Sequence, residues 1–180
     1  MLAGPQAFSN AVETYRYLVA KDTSWSASQF DPAVDVERMD TEAAVLNTAG
    51  HNLKPFFARG GKLLLYHGWS DQQNPASTSV NYFERVVRAV GRGTVGKSVQ
   101  LYMVPGMNHC QGGVGTDTFD KIAAIEDWMT KGMAPAEIVA SHATDGKIDR
   151  TRPLCPYPQV AVYKGSGSTD EATNFSCRNP

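Results

Sequence analysis

Two apolar runs separated by a helical pattern stand out in the middle of the chain. Residues 62–67 form a short hydrophobic run that ends in a glycine and polar residues, and Val99–Val104 forms a second run that ends in a proline–glycine turn. Between them, valine and phenylalanine recur at helical spacing over Ser77–Val90, and Gly91 ends the pattern. Such runs predict buried strands, and spacing of three and four predicts an amphipathic helix. We therefore predict a strand–helix–strand unit.

The remaining pattern adds helices and weaker strands around this unit. We predict helices over residues 6–20, 31–40, 53–59 and 119–131, a surface loop over 21–30, and weaker strands over 138–141 and 160–163. The helix at 31–40 is expected to begin with Asp31 as its cap and Pro32 in its first turn. The expected buried stripe of the 119–131 helix consists of Phe119, Ile122, Ala123, Ile125 and Met129. This alternation predicts an α/β fold.

Each strand of the central unit is followed by a residue that can take part in proton transfer. Asp71 follows the first strand, and His109 follows the second, 38 positions later. A right-handed crossover makes the two strands parallel and brings both following loops to one edge of the sheet. We therefore expect Asp71 and His109 to face each other. Such a pair fixes the tautomer of an imidazole that takes a proton from a hydroxyl, in the order of an α/β-hydrolase triad.

Structural explanations compete with this hypothesis. A single aspartate in a loop after a strand is usually a turn or capping residue, and a histidine after Pro-Gly is usually polar surface. A metal site is a further alternative, because histidine, aspartate and cysteine side chains commonly bind metals, and the region contains His67, Asp71, His109 and Cys110. No HxxxH or CxxC spacing supports such a site. Trp69 and Tyr102 are expected near the site, and an aromatic residue beside a strand end more often packs than contacts substrate.

Composition excludes several classes of function. The 180 residues are 42% hydrophobic with a net charge of −1, which suits one soluble domain over residues 1–180. No basic patch indicates nucleic-acid binding, and no apolar run approaches the roughly 20 residues that span a membrane. Residues 1–10 lack the charged start and apolar core of a secretion signal. No cofactor is expected.

Three stretches of the chain resemble one enzyme family. These are residues 60–71, GGKLLLYHGWSD; residues 104–110, VPGMNHC; and residues 150–161, RTRPLCPYPQVA. They are similar to the carboxyl-terminal part of the tannase and feruloyl esterase family, and the resemblance covers about residues 15–177. It implies a partial α/β-hydrolase: the C-terminal βαβ unit of a doubly wound sheet, with helices and a disulfide-stapled tail. Asp71 would be the triad acid, His109 the base, and Cys110 the cysteine beside the base, whose disulfide partner adjoins the nucleophilic serine.

The sequence departs from the family pattern in one decisive respect. The family's Gly-Cys-Ser-x-Gly-Gly elbow lies well upstream, and no G-x-S-x-G pattern occurs in these 180 residues. The family's lid and its calcium site are also absent. Ser70 adjoins the acid and Ser77 is expected to cap the following helix, so neither has the context of a nucleophile. The chain alone is therefore predicted to be inactive.

The cysteines indicate how the tail is held. Cys155 and Cys177 bracket a Pro-, Gly- and Ser-rich segment, and pairing them would stabilise the fold by roughly 3 kcal/mol through chain entropy. Cys110 is then left over, as the resemblance implies when its partner lies outside the chain. The alternative is that all three are reduced thiols. Paired cysteines indicate an oxidising compartment, so we expect a secreted or periplasmic protein.

Two functions follow as hypotheses. By resemblance, the parent protein is a carboxylic-ester hydrolase that acts on small aromatic acid esters through a serine acyl-enzyme. The missing amino-terminal half, or a complementary chain, would supply the nucleophile, because the sheet is expected to continue beyond the edge of the 62–67 strand. The alternative is a non-catalytic interaction module that retains the hydrolase scaffold. No nucleic-acid or membrane partner is expected.

Overall fold

The computed structural model describes residues 8–47 and 50–180. These residues form two compact units, the first ending at Gly50 and the second beginning at His51. Each unit is described by itself, and a single domain over residues 1–180 stays a prediction. No helix of the described part of the chain is long and apolar enough to cross a membrane.

The first unit begins with a helix that changes its winding. Helix α1 comprises Ser9–Thr14 and continues directly as a π-helical segment, Tyr15–Ala20. The predicted helix is confirmed from residue 9 onward, whereas residues 6 and 7 lie outside the described residues. Tyr15 is buried because its ring packs on Trp25, with 4.3 Å between the ring centroids. The loop that follows α1 therefore supplies apolar cover for the helix.

Helix α2 comprises Pro32–Leu46 and extends beyond the predicted end at residue 40. Its start is as predicted, since an Asp31 carboxylate oxygen accepts a hydrogen bond from the Ala33 N–H at 3.0 Å. The longer helix has a simple cause: residues 42–46, EAAVL, are mostly strong helix formers, and no glycine or proline interrupts them.

The predicted strand–helix–strand unit forms the centre of the second compact unit. After a short helix α3, Lys54–Ala58, the chain forms strand β1, Leu63–Gly68, helix α4, Ser77–Val90, and strand β2, Val99–Val104. The two strands are parallel and paired along their whole length, which confirms the prediction. Both loops that follow the strands consequently lie at the same edge of the sheet.

Two apolar clusters cover the two faces of β2. The first cluster includes Phe83, Val86 and Val87 of α4 together with Val99, Leu101 and Met103 of β2. The second includes the alternate β2 residues Tyr102 and Val104. Successive residues of a strand point to opposite faces, so β2 is buried on both sides. The loop after β2 therefore starts from a rigid, fully buried strand.

Helix α5 comprises Lys121–Lys131 and begins later than predicted. Asp120 is its cap, since its carboxylate accepts a hydrogen bond from the Ala123 N–H at 2.8 Å. The predicted buried stripe is wrong for Ile122 and Met129, which are 65% and 58% exposed, whereas Phe119 packs against the second cluster as predicted. Ala124 and Trp128 are buried instead. Ala124 and Trp128 are four residues apart and so share one helix face. Periodicity permits several apolar faces on this helix, and packing against the second cluster selects the one with Ala124.

The carboxyl-terminal tail consists of two antiparallel hairpins. Strand β3, Ile138–Thr144, pairs with β4, Lys147–Leu154, and β5, Val160–Tyr163, pairs with β6, Phe175–Arg178. The two predicted strands are present, but the sequence did not predict β4 or β6. Much of β4 is exposed or half-buried and mostly polar, so it lacks the alternation that marks a strand.

A disulfide joins the tail, and one sheet edge has no partner strand. Cys155 and Cys177 are bonded, which confirms the predicted pair, and Cys110 is the free cysteine. Within the described residues, β1 pairs only with β2. The other edge of β2 is met by the tail, where the Tyr157 N–H donates to the Leu101 carbonyl oxygen at 2.8 Å.

Candidate active site

The loops that follow β1 and β2 are joined by backbone hydrogen bonds. The Trp69 N–H donates to the Val104 carbonyl oxygen at 3.0 Å, and the Ser70 N–H donates to the Met107 carbonyl oxygen at 3.1 Å. These bonds extend the parallel pairing beyond the strands. The main chain by itself therefore holds the loop of Asp71 next to the loop of His109, independently of side-chain contacts.

A glycine at the end of β1 allows this close approach. A Cβ atom on Gly68 would overlap the Met107 carbonyl oxygen and lie 2.8 Å from the Asn108 carbonyl oxygen. Both obstacles are backbone atoms, which cannot move aside as a flexible side chain can. Gly68 is therefore required for the two loops to meet.

Asp71 and His109 are brought together as the crossover predicts. Asp71 Oδ2 lies 2.8 Å from His109 Nδ1. The Asp71 side chain is only 3% exposed, whereas the His109 side chain is 37% exposed. The pair thus combines a buried carboxylate with an imidazole that solvent or a ligand can reach.

Asp71 is also a turn residue, as the structural explanation predicts. Its Oδ1 accepts hydrogen bonds from the backbone N–H groups of Gln73 at 2.8 Å and Asn74 at 2.9 Å. Burial by itself would raise the pKa of Asp71. Hydrogen bonds from the Asn74 N–H, His109 and the Gln73 N–H outweigh it and hold the pKa well below its ordinary value of 3.8. Asp71 is therefore a carboxylate at neutral pH.

The partner of His109 determines which ring nitrogen carries its proton. A carboxylate only accepts hydrogen bonds, so Nδ1 of His109 must donate to Asp71. Asn74 Nδ2 lies 3.5 Å from the same nitrogen, at the outer limit of a hydrogen bond. In the neutral ring, Nε2 then has a lone pair, and no described residue forms a hydrogen bond with it. In this tautomer, Nε2 of His109 can accept a proton.

A second imidazole contacts Asp71, and sequence reasoning assigned it no such role. Nε2 of His67, at the end of β1, lies 3.1 Å from Asp71 Oδ2. The sequence contained a signal for this contact, because His67 lies in the last residues of the predicted strand and Asp71 follows it by only four positions.

Among residues 8–47 and 50–180, no group of three or more His, Cys, Asp or Glu side chains is arranged to hold a metal ion.

Cys110, next to His109, is exposed and has an unusual backbone. Its φ of 52° places it in the left-handed region, which residues other than glycine adopt at a cost of about 1–2 kcal/mol. The following glycine-rich loop folds back on the turn before His109: the Asn108 N–H donates to the Gly112 carbonyl oxygen at 2.9 Å. Cys110 is consequently an exposed, free cysteine on a tightly held turn, next to His109 in the sequence.

Ser70 and Ser77, the two serines nearest to Asp71 in the sequence, do not form hydrogen bonds with His109 through their side chains. The expectation that Ser77 caps α4 is wrong: Ala76 occupies the cap position without a side-chain hydrogen bond, and Ser77 is the first helical residue. Ser70 is held through its N–H by the Met107 carbonyl oxygen. Neither serine forms a side-chain hydrogen bond with His109 in the described structure.

The two aromatic residues near the strand ends differ in their surroundings. Tyr102 is fully buried, its hydroxyl donates to the Pro135 carbonyl oxygen at 2.6 Å, and burial raises its pKa. Tyr102 is therefore a packing residue, as expected. Trp69 is half exposed and lines a cavity of about 490 Å³. That cavity lies between the tail and the loops that follow β1 and β2, and neither Asp71 nor His109 lines it.

Comparison with known proteins identifies relatives that are much longer than this chain. A mono(2-hydroxyethyl) terephthalate hydrolase from Piscinibacter sakaiensis is 47% identical over 132 residues, which are 72% of this chain and 22% of that protein. A probable feruloyl esterase B-2 from Aspergillus terreus is 27% identical over 191 residues, covering 96% of this chain and 36% of that protein. The chain thus spans about a fifth to two fifths of the length of its relatives.

Solved structures share the fold, and a family match covers nearly the whole chain. An esterase from Aspergillus oryzae superposes with a TM-score of 0.81 at 27% identity, over 96% of this chain and 38% of that one. Feruloyl esterase B from the same species superposes with a TM-score of 0.80. These neighbours agree with a partial α/β-hydrolase. Residues 2–178 match the family described as tannase and feruloyl esterase. The chain belongs to the tannase and feruloyl esterase family.

Proposed function

We propose that this chain supplies the acid and the base of a serine ester hydrolase, with Asp71 as the acid and His109 as the base. One observation carries the proposal: the buried Asp71 carboxylate lies 2.8 Å from Nδ1 of a partly exposed imidazole at the carboxyl ends of two parallel strands. The family supports ester hydrolysis as the reaction class. Asp71 orients the ring, and Nε2 of His109 faces the reactants.

The reaction would proceed in two halves through His109. Nε2 accepts the hydroxyl proton of the serine, whose oxygen attacks the ester carbonyl; the alcohol then leaves with that proton, and an acyl-enzyme remains. In the second half, Nε2 takes a proton from water, the hydroxide attacks the acyl group, and the serine regains the proton as the acid departs. Asp71 remains ionised throughout and stabilises the imidazolium.

The nucleophile in this proposal belongs to a segment outside the 180 residues. No G-x-S-x-G pattern occurs in the sequence, and Ser70 and Ser77 do not bond to the base. The chain by itself therefore has no hydrolase activity in this proposal. The unpaired edge of β1 is where the sheet of a nucleophile-bearing segment would continue.

Cys110 adds a second link to the missing segment. The thiol is free, exposed and adjacent to the base. In the proposed enzyme it forms a disulfide with a cysteine beside the nucleophilic serine, and this bond would hold serine and base together. Such a bond and the Cys155–Cys177 pair favour a secreted or periplasmic protein.

The substrates proposed are small esters of aromatic acids. The names of the relatives mention terephthalate and the feruloyl group, both derived from aromatic acids. The choice among such esters would depend on the segment outside this chain.

A different role, a non-catalytic interaction module, is favoured by the same unpaired edge of β1. An exposed edge can bind an extended segment of another protein by adding a strand. The hydrogen-bonded arrangement of Asp71 and His109 has no use in such a module, so we rank it second.

The test is hydrolysis of methyl ferulate and methyl gallate by the purified chain, alone and fused behind the nucleophile-bearing segment of a relative. The chain alone is expected to be inactive, and the fusion active. A fusion whose elbow serine is replaced by alanine is the control and should be inactive. Activity of the chain alone would overturn the assignment of the nucleophile, and a folded but inactive fusion would favour the interaction module.

A further inference from the structure

The His67 ring is held between two elements at the site. Its side chain is 13% exposed, its Nε2 faces the loop after β1, and its Nδ1 faces helix α4. The proton transfers of the proposed hydrolase do not use this ring. Its contacts nevertheless converge on the oxygen of Asp71 that bonds to His109.

The contacts of His67 define its tautomer. Nε2 lies 3.1 Å from Asp71 Oδ2 and 3.1 Å from the Asn74 carbonyl oxygen, and both atoms only accept hydrogen bonds. Nε2 therefore carries a hydrogen. Nδ1 lies 2.7 Å from Ser79 Oγ, whose hydroxyl can donate to it. A neutral ring with Nε2–H satisfies every one of these contacts.

With His67 included, the Asp71 carboxylate accepts four hydrogen bonds. Oδ1 takes two from backbone N–H groups, and Oδ2 takes one from His109 and one from His67. Four is about the number that an ionised carboxylate can accept. Rotation of the carboxylate would break several of these bonds at once, so its orientation is held from both sides.

We propose that His67, held by Ser79, is a positioning residue that keeps Oδ2 of Asp71 directed at Nδ1 of His109. Without the His67 donor, Oδ1 keeps its two backbone hydrogen bonds, but His109 alone holds Oδ2, so Oδ2 can turn away and the tautomer of His109 is no longer fixed. This inference rests on the proposed function for the roles of Asp71 and His109. The positioning itself is a property of this chain and is measurable without any catalysis.

The experiment is NMR spectroscopy of the imidazole nitrogens and their protons in the 180-residue chain. The expected spectrum of the unaltered chain has His109 as the Nδ1–H tautomer, with a downfield proton bonded to Asp71, and His67 as the Nε2–H tautomer. His67→Phe should remove the downfield His109 signal and return His109 to a mixture of tautomers. His67→Gln can place an amide donor near the position of Nε2 and should restore the signal. An unchanged His109 signal in His67→Phe overturns the inference.

Two controls keep the test decisive. His142→Gln identifies the proton of His142, which bonds to Asp149, and should leave the His109 signal in place. If His67→Phe does not fold, Ser79→Ala replaces it, since alanine in the first turn of α4 preserves the helix. Ser79→Ala should weaken or broaden the His109 signal, and an unchanged signal overturns the inference. The two proposals can fail separately. If His67→Phe loses the His109 signal but the fusion with the nucleophile-bearing segment is inactive, the proposed function is refuted and the positioning role of His67 is retained.

Discussion

The Asp71–His109 pair and the Asp149–His142 pair lie in different regions of the molecule and have similar distances, but they differ in burial and surroundings. Asp71 Oδ2 is 2.8 Å from His109 Nδ1 at the ends of β1 and β2, and Asp149 Oδ1 is 2.6 Å from His142 Nδ1 on the β3–β4 hairpin. The Asp71 side chain is 3% exposed, and the Asp149 side chain is 43% exposed. A short contact alone therefore does not distinguish the proposed catalytic pair from a pair that only supports the fold.

The surroundings of the two carboxylates make the distinction. Asp71 bonds to a residue 38 positions away and receives donors from two loops and one strand end. Asp149 bonds to His142 and Thr144, its neighbours across one hairpin, seven and five positions away. Hydrogen bonds from Thr144 and His142 lower its pKa. The first pair ties two loops at a sheet edge, whereas the second reinforces a hairpin that is already paired.

The largest expected difference between the pairs is in catalysis by the active fusion. Asp71→Asn should lower kcat by about 10⁴-fold, because the amide can present a donor to Nδ1 and favour the wrong tautomer. Asp149→Asn should leave kcat within roughly twofold, since surface substitutions of this kind have small effects. Steady-state hydrolysis of methyl ferulate by the two variants measures both. Equal losses would remove the distinction drawn above.

Removal of the tail disulfide should lower the stability of the tail more than the stability of strands β1 and β2 at the site. The Cys155–Cys177 bond spans 22 positions, and replacing both residues with serine should destabilise the tail by about 3 kcal/mol. Amide hydrogen exchange should then show lost protection in β5 and β6, while β1 and β2 remain protected. Equal loss of protection in both regions would show that the tail is required for the strands at the site.

A single methyl group at the end of β1 should disturb the first pair. Gly68→Ala places a Cβ against the Met107 carbonyl oxygen and should cost about 1–3 kcal/mol of unfolding free energy. Gly93→Ala is the matched control, because Gly93 has open space around its Cβ position and no positive φ. Urea unfolding of both variants measures the difference. Similar stabilities would mean that the two loops do not need to approach so closely.

The pH dependence of stability should also differ between the two carboxylates. Because folding lowers the pKa of Asp71 below 3.8, its contribution is fully present above that value and is lost as pH falls towards the lowered pKa. The stability difference between the unaltered chain and Asp71→Asn should therefore shrink on acidification between about pH 5 and pH 2. Asp149→Asn should show the same sign with a smaller change, since its carboxylate is solvent-exposed. A difference that grows on acidification would contradict the assigned pKa direction.

The site could be predicted from the sequence as far as it depends on the crossover. The periodicity of β1, α4 and β2 predicted parallel strands, and this topology brings Asp71 and His109 together over 38 positions. The disulfide was predictable because Cys155 and Cys177 bracket a segment with little core. These features follow from patterns that extend over many residues.

The rest depends on contacts that no local pattern encodes. His67 contacts Ser79, twelve positions further along the chain, and only the folded backbone shows that the ring also reaches Asp71. Strand β4 has polar residues on exposed faces, so its pairing with β3 rather than its own sequence makes it a strand. Helix α5 has more apolar residues than it buries, so packing decides which face is covered.

The most direct test of the proposed hydrolase compares the two histidines in the active fusion. His109→Ala should reduce the hydrolysis of methyl ferulate by more than about 10³-fold, since the serine loses its base. His142→Ala, which removes the imidazole bonded to Asp149, should leave the rate within roughly twofold. A fusion that retains its activity without His109, or that loses it equally without His142, would contradict the assignment of His109 as the base.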